Sequence, residues 1–179
     1  MKPKLVAFDL DGTLTQHKTP LSDEARAALD ALRAAGCGLV MAGAGACRRI
    51  FNQMLHYPID IIGNYGLQYA EWDAASADLR FVRDERLPCD REGVLARANA
   101  FRASHGLTDF AGDSVEFHDS GVVTLALLGT KADLADKLAF DPDRSRRRTV
   151  YDEVKALFPD YKVFVGGSSS FDMAPAPYD

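Results

Sequence analysis

Two aspartates, Asp9 and Asp11, stand two residues apart in the string Phe8-Asp9-Leu10-Asp11-Gly12-Thr13-Leu14-Thr15, directly after the apolar run Leu5-Val6-Ala7. That run is too short for a helix, and its residue types suit a buried parallel strand, with Gly12 letting the chain leave the sheet sharply. Carboxylates two apart on an extended chain share a face. The carboxyl end of a strand is also where open α/β sheets hold their ligands. Two like charges held so close are costly unless a cation or a shared proton relieves them. Asp-Gly is ordinary turn chemistry as well, but the strand before the pair and the glycine and threonine after it together favour a reacting pair over a plain turn.

A sheet must hold such a pair in place, and the following residues supply one. Ser22 can cap a helix with Asp23 and Glu24 in its first turn and Ala25, Ala28, Leu29 and Leu32 at helical spacing, ended by Gly36. Gly38 to Ala42 reads as a second buried strand, Ile50, Phe51, Met54 and Leu55 as the apolar stripe of a second helix, and Ile59 to Ile62 as a third strand. Strand and helix alternating in this way predict a right-handed, parallel α/β sheet.

From about residue 63 the pattern changes. Leu67, Tyr69 and Trp72 fall in a predicted hairpin, with Trp72 a packing residue, and a helix is expected over Asp90 to Ser104. Strands follow at Ser114–His118 and Val122–Leu128. Asp141-Pro142 predicts a helix start, with Val150, Val154 and Leu157 on its buried side. Lys162–Val165 and Ser168–Met173 form a last hairpin about Gly166-Gly167. This second unit is α+β. Alternation sets Ser114, Glu116 and His118 opposite Val115 and Phe117, and Ser168, Ser170 and Asp172 opposite Phe171 and Met173, so one sheet face is polar. It reads either as a plain solvated face or as a ligand face. Arg144, Arg146, Arg147 and Arg148 lie among acidic residues and read as a solvated, salt-bridged helix face.

Composition narrows the partners. With 179 residues, 47% of them hydrophobic and 26% charged, the chain reads as an ordinary soluble globular protein of one or two domains. A net charge of −5 provides no basic footprint for nucleic acid. No apolar stretch approaches a membrane span and the first residues do not read as a signal peptide, so the expected location is cytoplasmic. Cys37, Cys47 and Cys89 have no metal-ligand spacing and are expected to be free.

The Asp9–Thr15 string resembles the first motif of the haloacid dehalogenase superfamily of phosphotransferases. The resemblance extends to its branch with an α/β cap, which includes eukaryotic-type phosphomannomutases and sugar-phosphate phosphatases. Val115-Glu116-Phe117 and Ser170-Phe171-Asp172 are similar to phosphomannomutase segments. The implied fold is α/β, a Rossmann-like parallel-sheet core at residues 1–84 with its hairpin flap, an inserted α+β cap at 85–174, and a return to the core beginning at 175–179. The implied roles are Asp9 as nucleophile, forming an aspartyl phosphate, and Asp11 as the acid that protonates the leaving oxygen. Mg2+ would be held by Asp9 and Asp11, phosphate by Gly12, Thr13 and the turn at Gly43 and Ala44, and the sugar phosphate by His118, Ser170 and Asp172.

The sequence also departs from that pattern. The turn Met41-Ala42-Gly43-Ala44-Gly45 lacks the hydroxyl that the family places after its second strand. Its glycines suggest either backbone N–H groups turned to phosphate or a simple tight turn. Where phosphomannomutases carry cap arginines, the matching positions are His118, Thr130 and Lys137. The family's later lysine and Gly-Asp-x-x-x-Asp string do not occur before Asp179. The expectation is therefore a truncated core, an incomplete magnesium site, little activity, and a third strand or neighbour lacking partners and covered by self-association. Three functions stay open: a sugar-phosphate phosphatase, a phosphomannomutase-like isomerase, or an inactive sugar-phosphate-binding remnant.

Overall fold

In a computed structural model, which describes residues 4–16 and 19–176, the chain forms two compact units, Met1–Glu85 and Arg86–Asp179. The expected return to the core at 175–179 lies, from Pro177 on, outside the described residues.

The first unit runs β1 (Lys4–Phe8), α1 (Asp23–Ala34), β2 (Cys37–Ala42), α2 (Cys47–Gln53), β3 (Asp60–Gly63), β4 (Gln68–Asp73) and β5 (Asp78–Asp84). Ser22 caps α1, its hydroxyl oxygen accepting from the Ala25 N–H at 3.2 Å. The sheet order is β1-β2-β3-β4-β5, with β1, β2 and β3 parallel, β4 antiparallel to β3, and β5 antiparallel to β4. Val6 and Phe8, Leu39 and Met41, and Ile61 and Ala70 project from one face into a core with Leu29 of α1 and Ile50 and Phe51 of α2. Trp72 packs there too, its ring centroid 5.8 Å from that of Phe51.

The helices of this unit cover one face of the sheet. In-register neighbours share a face, and Leu5 pairs with Gly38, Ala7 with Val40, and Ala42 with Ile62. On this second face Leu5 is 73% exposed and Ile62 38%. The unpaired edge differs from expectation. Strand β3 is not an edge, because β4 pairs with it through Ile61↔Ala70 and Ile62↔Tyr69; β1 and β5 are the edges among the described residues.

The second unit contains α3 (Arg91–Ser104), β6 (Val115–Phe117), β7 (Val123–Ala126), α4 (Leu134–Phe140), α5 (Ser145–Thr149), α6 (Tyr151–Leu157), β8 (Tyr161–Phe164) and β9 (Ser170–Pro175). The strands form an antiparallel sheet in the order β6-β7-β9-β8. Val115, Val123, Leu125, Val163, Phe171 and Met173 pack against Val94, Ala98 and Phe101 of α3 and Val154 of α6. The alternation read from the sequence separates the faces within β6 and β9, but Ser114 and His118 flank β6, Ser168 lies in the turn before β9, and Ser114 is buried.

The helix expected from Pro142 is different. Arg144 takes a left-handed conformation (φ 64°) and the chain breaks at Val150, leaving two short helices, α5 and α6, preceded by an unforeseen α4. Asp141 does not cap a helix begun by Pro142. It reaches forward, its carboxylate accepting from the backbone N–H groups of Arg146 and Arg147 at 3.0 and 3.1 Å.

All three cysteines are free. Burial pushes the Cys47 thiol up to about 11, which makes it an inert core residue. Among the described residues no helix is long and apolar enough to cross a membrane.

Candidate active site

Strand β1 runs beside β2 with Phe8 opposite Met41, so Asp9 leaves the sheet at the carboxyl end of two parallel strands. The loop that follows is tied to itself. The Leu10 carbonyl accepts from the N–H groups of Thr13, Leu14 and Thr15 at 3.3, 3.0 and 3.0 Å, and the Gly12 N–H donates to the Thr15 carbonyl at 2.7 Å. Gly12 has φ +95°, a conformation that side chains with a Cβ avoid. Leu10 is thereby buried while Asp9, Asp11, Gly12 and Thr13 remain exposed. The loop thus brings four of the expected site residues together.

The two carboxylates have different surroundings. Asp9 Oδ2 accepts from the Thr13 hydroxyl at 3.4 Å. Asp11 Oδ1 accepts from Gln53 Nε2 at 2.7 Å and from the Thr15 hydroxyl at 3.5 Å, and its Oδ2 lies 3.6 Å from Arg49 Nη2. Gln53 Nε2 also reaches the Thr15 hydroxyl at 3.1 Å and the Thr19 carbonyl at 3.2 Å, while Gln53 Oε1 accepts from Arg49 Nη1 at 3.0 Å. Arg49 and Gln53 are one helical turn apart on α2, so they lie on one face. Neither was anticipated from the sequence. The available signal was this i, i+4 polar pair beside the apolar stripe of Ile50 and Met54.

The turn after β2 needs a correction. The Gly43 N–H donates to the Ile62 carbonyl at 3.0 Å, so it is committed to the sheet and not turned to an anion. The Cys47 N–H is committed as well, donating to Gln68 Oε1 at 2.9 Å. Ala44 lies between them in sequence, on the strand neighbouring the aspartates.

Magnesium requires a near-octahedral oxygen shell. Asp9 offers a carboxylate, but both oxygens of Asp11 face nitrogen donors and one of these is a cation. No group of three or more His, Cys, Asp or Glu converges among the described residues. By themselves these residues do not fit the ion.

In the second unit, the polar sheet face brings together His118 and Asp172 through Thr124, which the sequence reading had passed over. Register places Glu116 opposite Thr124, and Thr124 opposite Asp172. The Thr124 hydroxyl donates to Asp172 Oδ1 at 3.0 Å and lies 3.3 Å from His118 Nε2, which must then carry the proton and donate. The Ser170 hydroxyl donates to the Gly166 carbonyl at 3.2 Å. Lys137 Nζ donates to the Thr130 carbonyl at 3.0 Å.

The arginine cluster is only partly a solvated face. Arg147 is 1% exposed, its Nε donating to Asp141 Oδ2 at 2.7 Å. Its Nη1 donates to the carbonyls of Gly166, Gly167 and Ser170. Burial pushes the Asp141 carboxyl up, but the hydrogen bonds from Arg147 and Arg146 outweigh it and hold the group below the ordinary carboxylate value.

No family model matches the chain. A phosphomannomutase of Saccharomyces cerevisiae is 25% identical over 190 residues, covering 99% of this chain and 73% of the relative. Among solved structures, a haloacid dehalogenase-like hydrolase from B. subtilis matches with a TM-score of 0.62 at 14% identity, over 98% of this chain and 74% of the other. The C-terminal domain of C. albicans trehalose-6-phosphate phosphatase matches at 0.63 and 14%, over 99% and 59%. A subclass IIB sugar phosphatase of the haloacid dehalogenase superfamily matches at 0.59 and 16%, over 98% and 71%. The chain thus has the α/β fold of haloacid dehalogenase-superfamily phosphatases, subclass IIB among them, and its sequence is similar to that of a phosphomannomutase.

Proposed function

We propose that the chain is a phosphotransferase that hydrolyses a sugar phosphate through an aspartyl phosphate on Asp9. One observation carries the reading: of two carboxylates in one loop, Asp9 is exposed with a single long hydrogen bond among the described residues, whereas Asp11 is held by Gln53. A nucleophile needs an accessible oxygen, and an acid–base group needs a defined position. An Asp9 oxygen forms a bond to phosphorus as the bond from phosphorus to the sugar oxygen breaks, and the departing oxygen takes a proton from Asp11. Water then attacks the same phosphorus, returns a proton to Asp11 and releases inorganic phosphate with Asp9 restored.

The His118–Thr124–Asp172 chain and Ser170 are the groups proposed to recognise the sugar phosphate, since hydroxyls are discriminated by fixed donors and acceptors. Turnover is expected to be slow, because one Asp11 oxygen accepts from Gln53 and the other faces Arg49, which leaves the Asp9 carboxylate alone to hold a cation at the phosphate. The test is release of inorganic phosphate from a panel of hexose phosphates with magnesium present. Slow release abolished by Asp9→Asn is expected; release that survives Asp9→Asn overturns the reading. Similarity to a phosphomannomutase favours a second reading, a mutase, for which the same panel would return an isomeric hexose phosphate instead of free phosphate.

A further inference from the structure

We propose that Arg49 holds the oxygens of the substrate's phosphate at the carboxylate pair, an inference that rests on the hydrolase reading above. Bringing a phosphate dianion against Asp9 and Asp11 stacks like charges in one place, and phosphoryl transfer depends chiefly on neutralising and orienting that charge. Among the described arginines of the first unit, only Arg49 faces the pair. Arg26 and Arg33 lie over the Tyr57 ring, Arg48 pairs with Asp78, Arg80 pairs with Glu71, and Arg83 donates to the Gly66 carbonyl.

Three features place the Arg49 guanidinium where an anion can use it. It lies directly against Gly45, where an added Cβ would meet its Nη2, Nε and Cζ atoms. Gly45 therefore permits the close approach, which any larger residue would push away. Its Nη1 donates to Gln53 Oε1 at 3.0 Å, and Gln53 Nε2 holds Asp11 at 2.7 Å, so one side chain sets both the cation and the acid. The separation of 3.6 Å from Nη2 to Asp11 Oδ2 is an ion pair without a short hydrogen bond. Of five N–H donors, most are left for the paired oxygens of a phosphate, the geometry for which a guanidinium is suited. In the turn beneath, the N–H groups of Gly43 and Cys47 are already bonded. The Arg49 side chain is also 44% exposed, so an anion can reach it.

The test is the binding of inorganic phosphate to the full chain at neutral pH, followed by phosphorus-31 line broadening and by calorimetry. Arg49→Ala should weaken binding about tenfold or more, as expected for loss of a charge-assisted pair, and Arg49→Lys should restore part of it. Gly45→Ala keeps the charge but displaces the guanidinium, and should weaken binding as well. Arg48→Ala, one residue away and paired elsewhere, should not. A thermal melt of each variant checks that it is folded. Wild-type affinity retained in Arg49→Ala, equal loss in Arg48→Ala, or no saturable phosphate binding by the wild type would each overturn the proposal. The two readings fail separately. Asp9-dependent hydrolysis with phosphate binding indifferent to Arg49 sinks this one alone. Arg49-dependent binding with no Asp9-dependent release sinks the hydrolase alone.

Discussion

Arg102 is 2% exposed, yet its Nε and Nη2 have no hydrogen-bond partner among the described residues. Its Nη1 donates to the Ala126 carbonyl at 2.6 Å and the guanidinium lies 4.2 Å from the Phe110 ring centroid. Burial disfavours its charged form and pulls its pKa down. A buried charge without full compensation is more costly than a well-packed apolar group of similar volume. The Ala126 carbonyl also accepts from the Gly129 N–H at 3.0 Å, so it keeps a partner if the arginine is removed. Arg102→Met is therefore expected to stabilise the chain by about 1 kcal/mol or more, read as a raised urea midpoint with unchanged slope. Nothing in the sequence marks Arg102, which occupies an ordinary helical position. Asp9 and Asp11 were legible because strand, spacing and glycine coincide within eight residues. Arg49 and Gln53 were not, because what brings them to Asp11 is the packing of α2 on the sheet some forty residues away in the chain, which no local pattern encodes.

Among the elements, the turn between β8 and β9 depends on a buried ion pair. Arg147 spans from Asp141 to the carbonyls of Gly166, Gly167 and Ser170, and so anchors the strand that carries Ser170 and Asp172. Asp-Pro is a genuine helix-start signal, and the misreading at 141–142 came from tertiary demand. The Asp141 carboxylate is claimed by the Arg147 side chain as well as by backbone N–H groups, and Arg144 adopts a left-handed turn to allow it. The strands of this unit were legible because alternation of polar and apolar residues states which face is buried. The pair has a pH signature. The folded-state pKa of Asp141 lies below the ordinary 3.8, so its contribution is fully present above that value and is lost as pH falls through the folded value. Asp141→Asn should cost about 3–5 kcal/mol at neutral pH, because it leaves a buried arginine uncompensated. The gap between the variant and the wild type should shrink in acid. Thermal melts at neutral pH and at about pH 3 check this, since the carboxylate range brackets that step; a gap that is constant with pH would show that the carboxylate is not the origin.

At the scale of the whole molecule, each unit has its own buried core, one built around Met41, Ile50 and Ile61, the other around Leu125, Phe171 and Met173. The change from helical-strand alternation to hairpins near residue 63 was legible. The coverage of the first sheet was not, because an apolar strand reads the same whether one of its faces or both are packed. Leu5, Ala7, Val40, Ala42 and Ile62 share the face away from the helices, and exposed apolar surface of this kind favours association. Any association of folded chains through that face draws the unfolding equilibrium toward the native form by mass action. The melting temperature should therefore rise over an approximately hundredfold increase in protein concentration, and Ile62→Lys, which places a charge on the face, should flatten the rise. A wild-type melting temperature independent of concentration would show that the face remains bare in solution. In the expected case, the folded chain has no single intrinsic stability: how firmly it holds its shape depends on how many copies surround it.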